Sequence, residues 1–317
     1  MSDRHYYQSL TRSMVAWVVA VSLTPLLLCA AVLGHQFHTA YRAKVLAHLE
    51  ELVLKHKQNI NSFLRESTAQ LRVLAELAPL GDFTDETRLA RMLASLQTEH
   101  SGVFVDLGLV SDTGTLLAYA GPFRLGRADY AEAPWFATAK TRDVTVSDVF
   151  LGLRGLPHFV VAVRHDFGGK AYLLRSTIDF AIFNRLVENI GQGATGQAFI
   201  INTKGEFQTT PKKGLQVDAP FLRHAIWKGA PAGQDQTGDA VSVFTHTDPA
   251  TGHQAVYVAT TLKDGQWALV YQQDETEAFP SLYRARQLAL LIVILGGLAI
   301  IVAAVLLARR MSLITFC

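Results

Sequence analysis

Leu288 to Ala308 reads LALLIVILGGLAIIVAAVLLA, 21 residues without a charge. A second stretch of the same length, Met14 to Gly34 (MVAWVVAVSLTPLLLCAAVLG), is also uncharged. At 1.5 Å rise per residue, each as a helix spans about 31 Å, close to the roughly 30 Å hydrocarbon core of a bilayer. The alternative is a buried core helix, but such helices rarely run this far without a charge or an amphipathic period. For Met14–Gly34 the rival is a cleavable signal peptide. Its apolar run exceeds the usual 7–15 residues, although Ala30-Ala31 near its end leaves cleavage open. Pro25 is tolerable there, because a neighbouring helix can satisfy the freed carbonyl. The expectation is two transmembrane helices, 14–34 and 288–308.

Between them lie residues 35–287, 253 residues, enough for one large or two small cores. Arg4 and Arg12 precede the first span, and Arg309 and Arg310 follow the second, as the positive-inside rule requires. Arg42, Lys44, Arg284 and Arg286 lie on the other side, but long loops translocate largely regardless of charge. The central region is therefore expected on the far side of the membrane from the cytoplasm. Residues 1–13 and 309–317 would be cytoplasmic. The net charge of +2 and the lack of any Lys/Arg block give no reason to expect nucleic acid. Cys29 lies in the first span and Cys317 is the last residue, so the exported region carries no disulfide or thiol chemistry.

Residues 35–81 read as one long helix. Val45, Leu49, Leu52, His56, Ile60, Phe63, Ser67, Leu71, Leu74 and Ala78 recur at spacings of four and three, while Lys55, Lys57, Arg65, Glu66 and Arg72 point elsewhere. This stripe suits both a domain backbone and a homodimer flank. Pro79 and Gly81 end it. Thr84–His100 is a short helix without a full capping box, although Asp85 and Glu86 suit a first turn.

Strands follow. VFVDLGLVSDTGTLLAYAG bends at Asp112-Thr113-Gly114, and VTVSDVFLGL with PHFVVAVRHDFGGKAYLLRSTID supplies three more strands, with a Gly168-Gly169 hairpin. Phe180–Ile190 is helical. The pattern then restarts: QAFIINTKGEFQTT as strand, turn, strand; a helix over 218–227; and AVSVFTHT, HQAVYVATTL and GQWALVYQQ as strands, with turns at Pro249–Gly252 and Asp264-Gly265. The fold class expected is α+β: two modules, 82–190 and 191–273, each a meander of about five antiparallel strands with helices to one side. Residues 274–287 connect to the second span.

GQGATG (191–196) spells the dinucleotide fingerprint but follows a helix and precedes a strand, the reverse of the required order. No pair among the eleven histidines has metal-site spacing, and no nucleophile elbow occurs, so neither cofactor nor metal nor catalysis is expected. Tyr119, Arg124, Arg127, Tyr130, Trp135, Phe136, Phe150, Arg154 and His158 fall within 40 residues, mostly in loops. Such a mixture suits an apolar-walled cleft with a few placed polar groups for a small ligand. Trp135 and Phe136 closing a core is the alternative.

Membrane span, long helix, two PAS-like modules and a second span resemble the double Cache sensor domains of bacterial receptors. DYAEAPWFATA (129–139) with SDVFLGLRGLPHFVVAV (147–163) resembles the pocket stretch of the membrane-distal module. GATGQAFIINTKGEFQTT (193–210) with GQWALVYQQDETEAF (265–279) resembles the opening and closing strands of the membrane-proximal one. In amino-acid-binding members a Tyr, an Arg two places before a Trp, and a distant Asp hold the ligand. Tyr130 and Trp135 match, and Asp179 in RSTIDF is the counterpart of the Asp. The Arg position is Ala133, which removes a bidentate carboxylate clamp unless Arg154 or Arg127 replaces it. The resemblance implies a ligand site of Tyr130, Trp135, Phe150, Arg154, His158 and Asp179.

Such domains feed a HAMP linker and a histidine kinase, cyclase or chemotaxis module, and this pattern is most similar to the sensor kinases. ARRMS (308–312) is compatible with the start of a HAMP linker. His48 in AHLEE is no phosphoacceptor box, and no ATP-binding motif accompanies it. The expectation is the sensory part of a two-component receptor, truncated or with its output on a partner chain. The rivals are a chemotaxis or cyclase receptor, a membrane-tethered exported enzyme, and a ligand-free assembly factor dimerised through the long helix.

Overall fold

The computed structural model describes residues 2–126, 128–152, 155–191, 193–212, 217–228, 240–249 and 251–314. The chain divides into two compact units, Leu49–Asp274 and the terminal segments Met1–His48 with Glu275–Cys317.

In the terminal unit, helix α1 (Ser2–Leu77) runs without interruption through Pro25, and after α7 (Glu275–Ala278) helix α8 (Pro280–Ile314) begins with a proline. Each is long and apolar enough to cross a membrane, with windows of mean hydropathy 2.3 and 3.2. Their apolar side chains are exposed, Trp17, Leu28, Ile292 and Leu306 among them. The two helices touch where side chains are smallest: a Cβ on Gly296 would lie 3.2 Å from Leu26 Cδ2, and one on Gly297 3.5 Å from Leu23 Cδ1. Arg42 pairs with Glu275 at 3.2 Å and lies over the Phe279 ring.

In the Leu49–Asp274 unit, the part of α1 from Leu49 onward buries Leu49, Val53, Lys57, Ile60, Leu64, Ser67, Leu71 and Ala75. This stripe agrees with the sequence pattern at 49, 60, 67 and 71. At the other positions it is rotated by one residue: Val53 and Leu64 are buried, with Leu52 and Phe63 half-buried beside them. Lys57, expected outside, is buried; its methylene stem packs like a hydrophobe. The helix ends at Leu77, and Pro79 caps a short helix α2 (Leu80–Thr84) that contains Gly81. Helix α3 (Glu86–Glu99) is separate from it, because Asp85 is its N-cap and accepts from Thr87 N and Arg88 N.

The first sheet comprises β1 (Leu107–Ser111), β2 (Leu116–Ala120), β3 (Val144–Val146), β4 (Phe150–Leu151), β5 (Pro157–Phe167) and β6 (Lys170–Ile178), with α4 (Pro134–Ala139) between β2 and β3. It is antiparallel with order β2-β1-β6-β5-β3, and β4 pairs with β5. The order is no meander: β6 inserts between β1 and β5. Gly168 and Gly169, at φ +62° and +81°, make the tight β5–β6 hairpin that permits this.

Helix α5 (Phe180–Glu188) leads to the second sheet, built from β7 (Gln197–Asn202), β8 (Val241–Thr247), β9 (Gln254–Leu262) and β10 (Trp267–Asp274) in the order β7-β10-β9-β8. Among the described residues it has four strands, against an expectation of about five. The segment after the Lys204-Gly205 turn makes a single bridge, Ile201 to Phe207, flanked by the backbone bonds Asn202 N to Glu206 O and Gln208 N to Ile200 O. Helix α6 (Ala219–Arg223), capped by Asp218, continues into a wider π turn, His224–Lys228. The α+β class, the long N-terminal helix, the two antiparallel sheets and the apolar helices at both ends agree with the sequence reading.

Candidate ligand-binding site

One row of residues crosses the whole first sheet: Tyr119 on β2, Gly108 on β1, Arg175 on β6, Ala162 on β5 and Thr145 on β3 are successive Cα partners. Alternation of side chains puts this row on the face that also carries Val110, Leu173 and Val160, and α4 covers it with Trp135 and Phe136. Small residues flank Arg175 on both sides. A Cβ on Gly108 would lie 3.2 Å from Arg175 Nε, so the guanidinium lies against the strand only because residue 108 is glycine.

Arg175 and Asp106 are 3 % and 0 % exposed and pair at 2.8 Å. Asp106 also accepts from Thr177 N at 2.8 Å, Thr177 Oγ1 at 3.1 Å and Tyr119 OH at 3.5 Å, which saturates its carboxylate. Arg175 Nη2 donates to Tyr130 OH at 2.9 Å, and the guanidinium carbon lies 5.7 and 5.3 Å from the centres of the Tyr119 and Tyr130 rings. Burial works against the guanidinium charge, but Asp106 and the two tyrosines outweigh it and raise its pKa, so Arg175 stays charged. Two buried polar atoms of this row, Arg175 Nε and Thr145 Oγ1, have no hydrogen-bond partner among the described residues. Groups of this kind are costly to leave unpaired; a third, Gln272 Oε1, lies on β10 of the second sheet.

The residues singled out in the sequence fall into separate places. Tyr130 and Trp135 sit together over the row, with ring centroids 5.4 Å apart, and Trp135 is part of the apolar cluster. Phe150 packs at the edge of that cluster and against His158 at 4.6 Å, and His158 Nδ1 is 2.9 Å from the Leu156 carbonyl. Asp179 is the N-cap of α5, its carboxylate accepting from Ile182 N at 2.9 Å. Arg154 and Arg127 lie outside the described residues. Sequence reasoning missed Arg175 and Asp106. The signal was present: an arginine within the apolar run YLLRSTI, at the parity of Leu173, is directed inward.

A second cluster joins the sheets. Asp148, between β3 and β4, accepts from Trp267 Nε1 at 2.7 Å, Asn202 Nδ2 at 3.0 Å and Lys263 Nζ at 3.2 Å. Val149 N donates to Gln208 Oε1 at 2.7 Å beside it. Burial alone would raise the Asp148 pKa, but the Trp267 bond, the Lys263 charge and the Asn202 bond hold it below 3.8. Phe159, Phe183 and Trp267 pack edge-to-face and tilted around this junction. Among the described residues no group of three or more His, Cys, Asp or Glu is placed to hold a metal ion; Asp148, His158 and Asp179 are each engaged elsewhere.

A family described as the Cache domain matches residues 37–282. Among solved structures, the chain is similar to the ligand-binding domain of the Campylobacter jejuni chemoreceptor Tlp3 in complex with 4-methylisoleucine. The identity is 12 %, the TM-score 0.57, and the match covers 77 % of this chain and 96 % of that one. For the domain of the Pseudomonas aeruginosa amino-acid chemoreceptor PctB with L-Arg the values are 16 %, 0.55, 74 % and 96 %. For P. aeruginosa PctC with GABA they are 21 %, 0.54, 72 % and 99 %. At these identities the likeness is one of fold. No curated protein matches the sequence.

Proposed function

Because the chain belongs to the Cache domain family, we propose that it is the sensor part of a transmembrane receptor, binding a small molecule over the first sheet and signalling through α8. The single observation that carries the reading is the buried row with two unpartnered polar atoms, Arg175 Nε and Thr145 Oγ1, roofed by Tyr130 and Trp135. A charged donor in an apolar setting selects a carboxylate, and the similar domains were solved with amino acids or GABA bound. Asp106 is saturated by Arg175, Thr177 and Tyr119, so a ligand ammonium must find its acceptor elsewhere.

We assign residues 82–190 to the membrane-distal module and 191–273 to the membrane-proximal one, with 14–34 and 288–308 as the spans. Tyr130, Trp135 and Phe150 line the site with Arg175 and Tyr119; Asp179 serves the fold. The exposed apolar sides of α1 and α8 support immersion in lipid, and Val73 and Leu77, exposed on α1, support homodimer contact along the helix. The occupied site would shift a pre-existing equilibrium only by the ligand's differential affinity for its two states.

Output through a histidine kinase follows from the resemblance of the distal segment. The chemoreceptor domains among similar structures favour a second reading, chemotaxis. Sequencing the reading frame past Cys317 separates them: kinase motifs support the first and a chemotaxis signalling region the second. The outside location is tested by placing a cysteine at exposed Thr113 in a chain with Cys29 and Cys317 replaced by Ser. A membrane-impermeant maleimide should label it in intact cells; labelling only after lysis would overturn the receptor reading.

A further inference from the structure

Within the Leu49–Asp274 unit, a cavity of about 440 Å³ opens between α1, Val146 of β3 and the β9–β10 turn. Its α1 wall carries Lys57, Asn61 and Arg65 at successive turns of one face, with Ser62 and Thr68 beside them. Opposite stands Lys263. Lys57 is 7 % exposed. The Lys263 side chain is 12 % exposed and lies over the Trp267 ring at 4.3 Å. Three cations thus line the cavity against one carboxylate, Asp264, and the hydroxyl and amide groups between them supply hydrogen bonds.

Lys263 and Asp264 have φ of 50° and 52°, the left-handed conformation of the central residues of a tight hairpin turn, which Gly265 N closes on the Leu262 carbonyl. Here the turn directs the Lys263 ammonium at both Asp148 and the cavity. The ammonium has three protons, and among the described residues Asp148 is the carboxylate it pairs with, at 3.2 Å. Asp148 keeps Trp267 and Asn202 as donors if Lys263 turns away.

We propose that this cavity is a second binding site, which takes a small di- or trianion such as phosphate or a short dicarboxylate and draws Lys263 away from Asp148. The occupant would loosen the junction between the two sheets and so tune how strongly a ligand on the first sheet is felt by the second.

The test uses the full chain in detergent micelles, free of lipid phosphate. It is titrated with potassium phosphate, and separately with malonate, against potassium chloride of matched ionic strength, following thermal unfolding and tryptophan emission. Phosphate or malonate should give a saturable stabilisation that chloride does not, with a change in emission as Lys263 leaves Trp267. Arg65→Gln, at an exposed position that leaves the helix intact, should weaken the affinity about tenfold, the loss of one charge-assisted contact. Lys263→Met should weaken it as much and abolish the emission change. Equal effects of chloride and the dianions, or wild-type titration by Arg65→Gln, would overturn the site. Tyr130→Phe separates it from the first-sheet site: an unchanged response supports the cavity, and a lost response assigns the anion to Arg175 and overturns the proposal.

Discussion

The two sheets solve the same packing problem differently. The second is filled with apolar and aromatic groups: Phe199, Ile201, Tyr257, Ala259, Ala268 and Val270 close one face, and Phe244 stacks on Tyr257 at 5.5 Å. Burial, with the Asp248 and Asp218 carboxylates nearby, pushes the Tyr257 hydroxyl up to about 12. The first sheet buries an ion pair, with small residues on either side and two polar atoms left open, against one on the second sheet, Gln272 Oε1. A mostly apolar face is suited to transmit a displacement. A face with unpaired donors in a low-dielectric setting is suited to receive a ligand.

The largest expected effects fall equally on both sheets and differ in kind. Arg175→Met strands Asp106 in the core and should cost about 3–5 kcal/mol of unfolding free energy, and it should abolish ligand binding. Phe199→Ala should cost a similar amount, about 3–5 kcal/mol, by leaving a cavity, yet retain the ligand affinity of whatever fraction stays folded. Urea unfolding with parallel calorimetry measures both; equal losses of binding would erase the contrast between the sheets.

Asp148→Ala leaves the buried Trp267 N–H unpaired and should cost about 1–2 kcal/mol. Its pH dependence has a definite sign. The folded carboxyl lies below its unfolded value of 3.8, so its contribution is present above that pH and is lost as pH falls through the folded value. The stability difference between wild type and Asp148→Asn should therefore be flat near neutrality and shrink in acid. A difference that grows in acid would contradict the Trp267 and Lys263 contacts.

The smallest effects separate two residues that the sequence placed in one site. Asp179→Ala removes a helix cap and should cost about 1 kcal/mol while leaving ligand affinity unchanged. Tyr130→Phe removes one partner of Arg175 and should cost about 1 kcal/mol of stability and weaken ligand binding several-fold. Reversed outcomes would return Asp179 to the site.

The elements legible in the sequence are those set by local pattern. The apolar runs gave the terminal helices, and alternation with glycine turns gave β1, β2, β5, β6, β9 and β10. The face of α1 was read to within one residue, because neighbouring apolar side chains at 52–54 and 63–64 compete for burial. What local pattern could not carry was register. Tyr119, Gly108, Arg175, Ala162 and Thr145 are scattered over 68 positions and meet only through four strand pairings. The sequence therefore directed attention to nearby loop arginines, 127 and 154, which lie outside the described residues, while among the described residues the guanidinium that meets Tyr130 comes from a strand 45 residues away. Asp179 was assigned to the ligand by family likeness, and its position ahead of FAIFNRLVE also makes it the cap of α5.

The most direct measurement is thermal unfolding of the full chain against a panel of amino acids and small carboxylates, with Tyr130→Phe alongside. At 100 times its dissociation constant a ligand adds about 2.7 kcal/mol, a rise in Tm of roughly 5–10 °C for a domain of this size. At least one compound should produce that rise, and Tyr130→Phe should need several-fold more of it. A folded protein that no compound shifts, or a ligand to which Tyr130→Phe responds as wild type does, would contradict a sensor built on the first sheet.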